Sequence, residues 1–169
     1  MRFAVLAMLC LGWAMAGAWE ARAADAEAAT LGAGVTVDEM VDLLKSYPEV
    51  ESVSVQPGRF GNPALSARSA GIDFDVFFYH CDEEGDSRCG EVQYKATFVP
   101  EQGRERDAAR AVARWDQDWV FGRAFVEDDL DVVIEHAHFA RGVTRLYLEQ
   151  NAELWLLSIL PDFRRAIGY

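Results

Sequence analysis

Positive charge is scarce in this chain, with 16 Lys and Arg against 28 Asp and Glu and a formal net charge of −12. That balance excludes nucleic acid as a main partner, because such binding draws most of its affinity from cations neutralising phosphates. Histidine and cysteine are equally sparse, at three each. None of the serines sits in a Gly-x-Ser-x-Gly elbow, and no glycine-rich phosphate loop occurs, so hydrolase and nucleotide-binding readings lack support. No catalytic residue and no cofactor is assigned, and the chain is expected to be non-enzymatic.

Only one long apolar run exists, and it stands at the start. Met1 and Arg2 are followed by the uncharged stretch Phe3 to Ala18, rich in Leu, Ala and Met, the pattern of a secretory signal peptide. Its 16 residues fall short of the roughly 20 needed to span a bilayer as a helix. Ala21-Arg22-Ala23 places small residues where a signal peptidase requires them, so residues 1–23 are expected to be removed, with Ala24 the neighbouring alternative. Cys10 leaves with them. Taking Arg2, Arg22 and Glu20 from the 16 basic and 28 acidic residues leaves 14 and 27, a net charge of −13. The remainder is one domain in size, expected to be periplasmic or secreted, with no stable membrane insertion once the leader is gone.

Two cysteines then remain, Cys81 and Cys89, across Asp82-Glu83-Glu84-Gly85-Asp86-Ser87-Arg88. An even count fits an oxidising compartment. The flanking segments Phe74 to His80 and Val92 to Phe98 alternate like strands, which sets the thiols at the base of a hairpin and predicts a disulfide. A redox-active pair is the weaker reading, because an acidic loop raises thiol pKa values instead of lowering them.

Along the rest of the chain, residues 24–34 are small and polar without hydrophobic period and read as a disordered lead-in to a domain over 35–169. Thr36-Val37-Asp38-Glu39 has the spacing of a capping box, and Val37, Met40, Val41, Leu44 and Tyr47 follow at helical spacing until Pro48. Val50 to Val55 and Ala64 to Ala70 read as a meander ahead of the two hairpin strands. Glu105 to Trp119 carries Ala108, Ala111, Val112, Trp115 and Trp119 on one helical stripe. Phe121 to Val126 and Val132 to Phe139 read as strands around the acidic turn Glu127-Asp128-Asp129. A final helix begins after Gly142 with Thr144 placed to cap it, and Pro161 is expected to end or kink it, leaving Phe163 to Tyr169 as a short tail. The fold class is therefore α+β, a mainly antiparallel sheet packed against helices in the order α-β-β-β-α-β-β-α.

Several of these segments together resemble the YbjN domain family. They are Val35-Thr36-Val37-Asp38-Glu39-Met40, Phe74-Asp75-Val76-Phe77-Phe78-Tyr79-His80-Cys81, Cys89-Gly90-Glu91-Val92-Gln93-Tyr94, Trp115-Asp116 with Phe121-Gly122-Arg123-Ala124-Phe125, and Arg141-Gly142-Val143-Thr144. The resemblance covers nearly all of the chain after the leader. It implies a fold similar to type III secretion chaperones and a loosely defined regulatory role, and no established reaction. Trp115-Asp116 departs from the Trp-Asn usual in that family.

Two constellations remain. Trp115, Trp119, Phe121 and Phe125, with Arg114 and Arg123 beside them, can serve as core or as an aromatic surface for a protein partner or a second copy of the chain. His136 and His138 stand two apart on one strand, so both rings face the same side, as two ligands of a metal could. A metal-binding protein is the alternative reading on that ground. No third ligand is visible in the sequence: His80 or Glu135 could be proposed, but Glu135 falls on the opposite face of that strand. The acidic loop from Asp82 lacks the bidentate Glu of a calcium loop, since its twelfth position is Gln93.

Overall fold

A computed structural model of the chain describes residues 30–58, 62–82 and 87–169. The leader expected over 1–23 lies outside these residues, as do 24–29 of the lead-in and Glu83, Glu84 and Asp86 of the acidic loop. No helix among the described residues is long and apolar enough to cross a membrane.

The fold is α+β, as the patterning implies. Strand β1 (Thr30–Leu31) precedes helix α1 (Val37–Lys45), and four strands follow: β2 (Val50–Pro57), β3 (Pro63–Ser69), β4 (Ile72–Cys81) and β5 (Cys89–Phe98). Helix α2 (Glu105–Asp118) leads to β6 (Arg123–Val126), β7 (Val132–Phe139) and β8 (Val143–Thr144). The last segment runs as α3 (Arg145–Leu154), a π-helical turn (Trp155–Ile159) and α4 (Leu160–Ala166). Six strands form one antiparallel sheet in the order β2-β3-β4-β5-β7-β6, and β1 pairs with β8 in a second, two-stranded sheet.

Four strands precede α2, one for each of the segments read from the alternation, although the order written from them counted three. The division between β3 and β4 falls at Ala70 and Gly71, whose φ values of 48° and 74° make a two-residue turn with both centres left-handed, the geometry that closes hairpins tightly. β3 and β4 therefore pair down to Ser69 opposite Ile72.

Alternation decides which face of the sheet is covered. Leu65 and Ala67 of β3, Phe74, Val76 and Phe78 of β4, Val92, Tyr94 and Ala96 of β5, and Val132 and Ile134 of β7 are all buried. Met40, Leu43 and Leu44 of α1 and Leu148, Ala152, Trp155, Leu156, Ile159 and Phe163 of the last segment are buried in the same core. His80, grouped by alternation with Phe74 and Phe78, is instead exposed: it takes a φ of 54°, which breaks the strand's period at that point.

The capping box at α1 forms as its spacing requires. The Glu39 amide donates to the Thr36 hydroxyl at 3.1 Å and the Thr36 amide to the Glu39 carboxylate at 2.9 Å. Arg88 donates to both oxygens of that carboxylate, at 2.9 and 3.1 Å. Burial acts to raise the Glu39 pKa, but the Thr36 amide and the Arg88 guanidinium outweigh it and hold the carboxyl below its usual value.

The lead-in expected over 24–34 is ordered from Thr30. Leu31 pairs with Val143, and Val35 exchanges backbone hydrogen bonds with Cys89 at 2.8 and 3.1 Å. Gly34, at a φ of 104°, lies so close to Cys89 that a Cβ there would collide with its carbonyl. This order comes from backbone pairing with residues more than fifty positions away, so no local hydrophobic period announces it.

Pro161 neither ends the last helix nor leaves Phe163 in a tail. A proline interior to an α-helix removes one amide donor and collides with the carbonyl four residues back. Here the turn before it widens, so that the Leu160 amide bonds the Trp155 carbonyl five residues back, and the proline sits in the first turn of α4, where no amide is needed. Phe163 is consequently fully buried.

Cys81 and Cys89 are joined, as their spacing predicts, with their Cα atoms 3.8 Å apart. Asp82 donates to the Arg88 carbonyl at 2.9 Å just beyond them, so the cysteines form the non-hydrogen-bonded pair, where opposed side chains come closest. Replacing both by alanine is expected to lower stability by about 2 to 3 kcal/mol through the freed loop. The urea midpoint of the double variant, compared with that of the oxidised chain, measures it.

Candidate functional site

The expected aromatic surface lies where α2 hands the chain to β6. α2 buries Ala108, Val112 and Trp115 and ends at Asp118 because Trp119 turns to extended backbone. Trp115 is 3% exposed and packs edge-on against Phe163 with ring centres 5.2 Å apart. Its indole N–H donates to the Gly122 carbonyl at 3.0 Å. Trp115 is thus placed in the core, and Trp119, half-buried, lies flat on it at 4.3 Å and 6°.

Asp116, where the resembled family has Asn, accepts from the Ala124 amide at 3.0 Å. Ala124 sits at a non-hydrogen-bonded position against Ile134 of β7, so its amide points off the sheet edge. Trp115 and Asp116 together therefore satisfy two outward groups of β6, and the edge is closed to strand pairing there. Either Asp or Asn can accept this bond.

Beyond this anchored frame the chain is exposed. Val120 is 90% and Phe121 53% accessible, and a cleft of about 540 Å³ opens beside them, floored by Ala137 and flanked by Trp119, Arg123 and Glu135. Arg123 pairs with Glu135 at 3.4 Å and lies over the Phe125 ring at 5.1 Å. Of the residues expected to meet a partner, the structure thus gathers Trp119, Phe121 and Arg123 at one corner, sets Phe125 half-buried beneath Arg123, and withdraws Trp115. Arg114 is exposed on α2. Val120 was not singled out by sequence reasoning, since a lone valine after a helix carries no periodic signal.

Gly122 is the hinge of this corner. Its φ of 80° is left-handed, and a Cβ would meet Ile159 at 3.0 Å and Ile134 at 3.2 Å. The close approach of β6 to the π-helical turn requires a glycine.

His136 and His138 do share a side, and it is the covered one. They are 8% and 7% exposed, with ring centres 5.9 Å apart. His136 Nε2 lies 2.9 Å from Asn151 Oδ1, whose own amide donates to the Tyr147 carbonyl at 2.8 Å, so Nε2 carries the proton. His138 Nδ1 lies 2.9 Å from the Phe139 carbonyl and must donate to it, which leaves Nε2 a buried lone pair with no partner among the described residues. Among the described residues no group of three His, Cys, Asp or Glu is placed to hold a metal ion. Tyr94, between these rings and Trp155, is fully buried, and burial drives its hydroxyl pKa upward, with Tyr47 adding to the rise.

Burial lowers both histidine pKa values, that of His138 to about 4, with the nearby His136 adding to the fall and the Phe139 carbonyl opposing it. No family model matches the chain, and no curated protein matches it either.

Two outcomes follow. A His138 pKa of about 4 in the fold against roughly 6.5 unfolded means that the unfolded chain takes the proton first as pH falls. The stability this neutral ring represents is fully present above pH 6.5 and is lost down to about pH 4, by up to about 3 kcal/mol. His138→Phe is expected to flatten that limb of a plot of urea midpoint against pH. At the corner, Asp116→Ala is expected to cost about 1 to 3 kcal/mol by orphaning the Ala124 amide, and Asp116→Asn much less, both read as shifts in thermal midpoint.

Proposed function

We propose that this chain is an exported, non-enzymatic binding protein of the YbjN kind, periplasmic or secreted, that holds an apolar segment of a protein partner at the corner between α2 and β6. One observation carries the reading: Val120 and Phe121 are exposed side by side directly after the stacked pair Trp115 and Trp119. Exposed apolar and aromatic side chains gathered at one place are the kind of anchor that protein interfaces use. Arg123 and Glu135 rim the cleft and can orient polar groups of the partner. The export part of the reading comes from the apolar start of the chain, and the Cys81–Cys89 disulfide fits the oxidising compartment it leads to.

The test uses the chain from residue 24 onward, expressed with its own leader and recovered from the cell envelope with whatever it holds. A photo-crosslinking side chain at Phe121 is expected to capture a discrete protein, and one at Arg114, on the adjacent helix, to capture little. Val120→Ser with Phe121→Ser is expected to abolish recovery of that protein without moving the thermal midpoint, because both residues are exposed. Equal recovery with the double variant sinks the proposal.

A further inference from the structure

The sheet has two edges, and they are finished differently. At β6 the side chains of Trp115 and Asp116 occupy outward backbone groups. At the other end β2 pairs only with β3, and among the described residues no strand meets its outer side. β2 is eight residues long, and six of them are exposed.

Edge strands are usually guarded by charge, proline or a bulge. β2 has all three, but only at its ends. The register slips between Val50 and Ser52; Glu51 lies in the slip, held by Arg68 at 3.3 Å and by the Gly71 amide at 2.8 Å; Pro57 closes the far end. Between these guards Ser52-Val53-Ser54-Val55-Gln56 carries no charge in a chain of net charge −12.

We infer that this window pairs with the same window of a second copy, antiparallel about a two-fold axis at Ser54. That register sets Ser54 opposite Ser54, Val53 opposite Val55, Ser52 opposite Gln56 and Glu51 opposite Pro57. Within the window from Ser52 to Gln56 each valine then meets a valine and each polar side chain a polar one, and at its end the carboxylate of Glu51 meets Pro57 and no like charge. Val55, 57% exposed in the single chain, gains a valine neighbour on the helix-covered face. The alternation Ser-Val-Ser-Val is symmetric about its centre, which is what an isologous contact demands. The interface is short, so the dimer is weak and reversible, and its assembly is opposed by the two acidic bodies. The inference does not depend on the reading of the α2–β6 corner, which lies at the opposite edge.

Sedimentation velocity of residues 24–169, which include every element of the fold, is expected to show a monomer–dimer equilibrium that shifts toward dimer as salt screens the acidic bodies. Val55→Lys is expected to weaken it about tenfold or more, since the change enters twice. Under oxidation Ser54→Cys is expected to give a covalent dimer, whereas Gln56→Cys, opposite Ser52 and far from its own copy, gives little. The Ser54 variant decides the matter if Val55→Lys disturbs the fold, because Ser54 is exposed and bonds only neighbouring surface groups. A chain that stays monomeric to its solubility limit overturns the proposal. So does a dimer indifferent to Val55→Lys, or equal crosslinking at positions 54 and 56.

Discussion

The stack of Tyr94 on Trp155 is the contact on which the rest of the structure depends. The rings lie 5.5 Å apart and 19° from parallel, both fully buried, and they pin the π-helical turn against the middle of the central strand β5. With that turn fixed, Ile159 meets Gly122 and Phe163 meets Trp115. Trp119 then lies on Trp115, and Val120 and Phe121 are presented beyond it. An exposed feature at one edge of the sheet is in this way referred back to the centre of the core through aromatic contacts, each worth roughly 0.5 to 1.5 kcal/mol beyond its burial.

Much of this was legible in the sequence where the signal is local. The Thr36–Glu39 capping box, the Thr144 cap, the stripe on α2 as far as Trp115 and the alternation of β5, β7 and of β4 as far as Phe78 each occupy a few adjacent positions and form as expected. The disulfide was legible for the same reason, since its cysteines sit on strands whose alternation locates the hairpin. What the sequence hid is nonlocal. Thr30 and Leu31 have no pattern of their own and are ordered only because Val143 and Thr144 offer a partner strand.

Pro161 is the instructive case. Its chemistry is local and unambiguous, and the break it normally causes is real, but the backbone absorbed it by widening the preceding turn. Burial of Trp155, Ile159 and Phe163 on either side of the proline favours continuing the helix by more than the irregular turn costs, each large apolar side chain contributing roughly 1.5 to 3 kcal/mol. Sequence rules state the cost of the break without the tertiary gain that outweighs it. The same limit applied to His136 and His138: their spacing gave the shared face correctly and could not tell a ligand-binding face from a covered one.

The most displaced titrating groups lie in the core, and burial is the first cause of each shift. They belong to His138, which meets Tyr147 of α3 edge-on, and to Tyr94, which stacks on Trp155 of the π-helical turn. His138 Nε2 and the Trp155 indole N–H, which have no hydrogen-bond partner among the described residues, cost stability as the consequence of packing polar rings into an aromatic core. At the accessible corner Val120 and Phe121 stand beside the Arg123–Glu135 ion pair and the carboxylate of Asp116, so the cleft there combines apolar surface with charge at its rim.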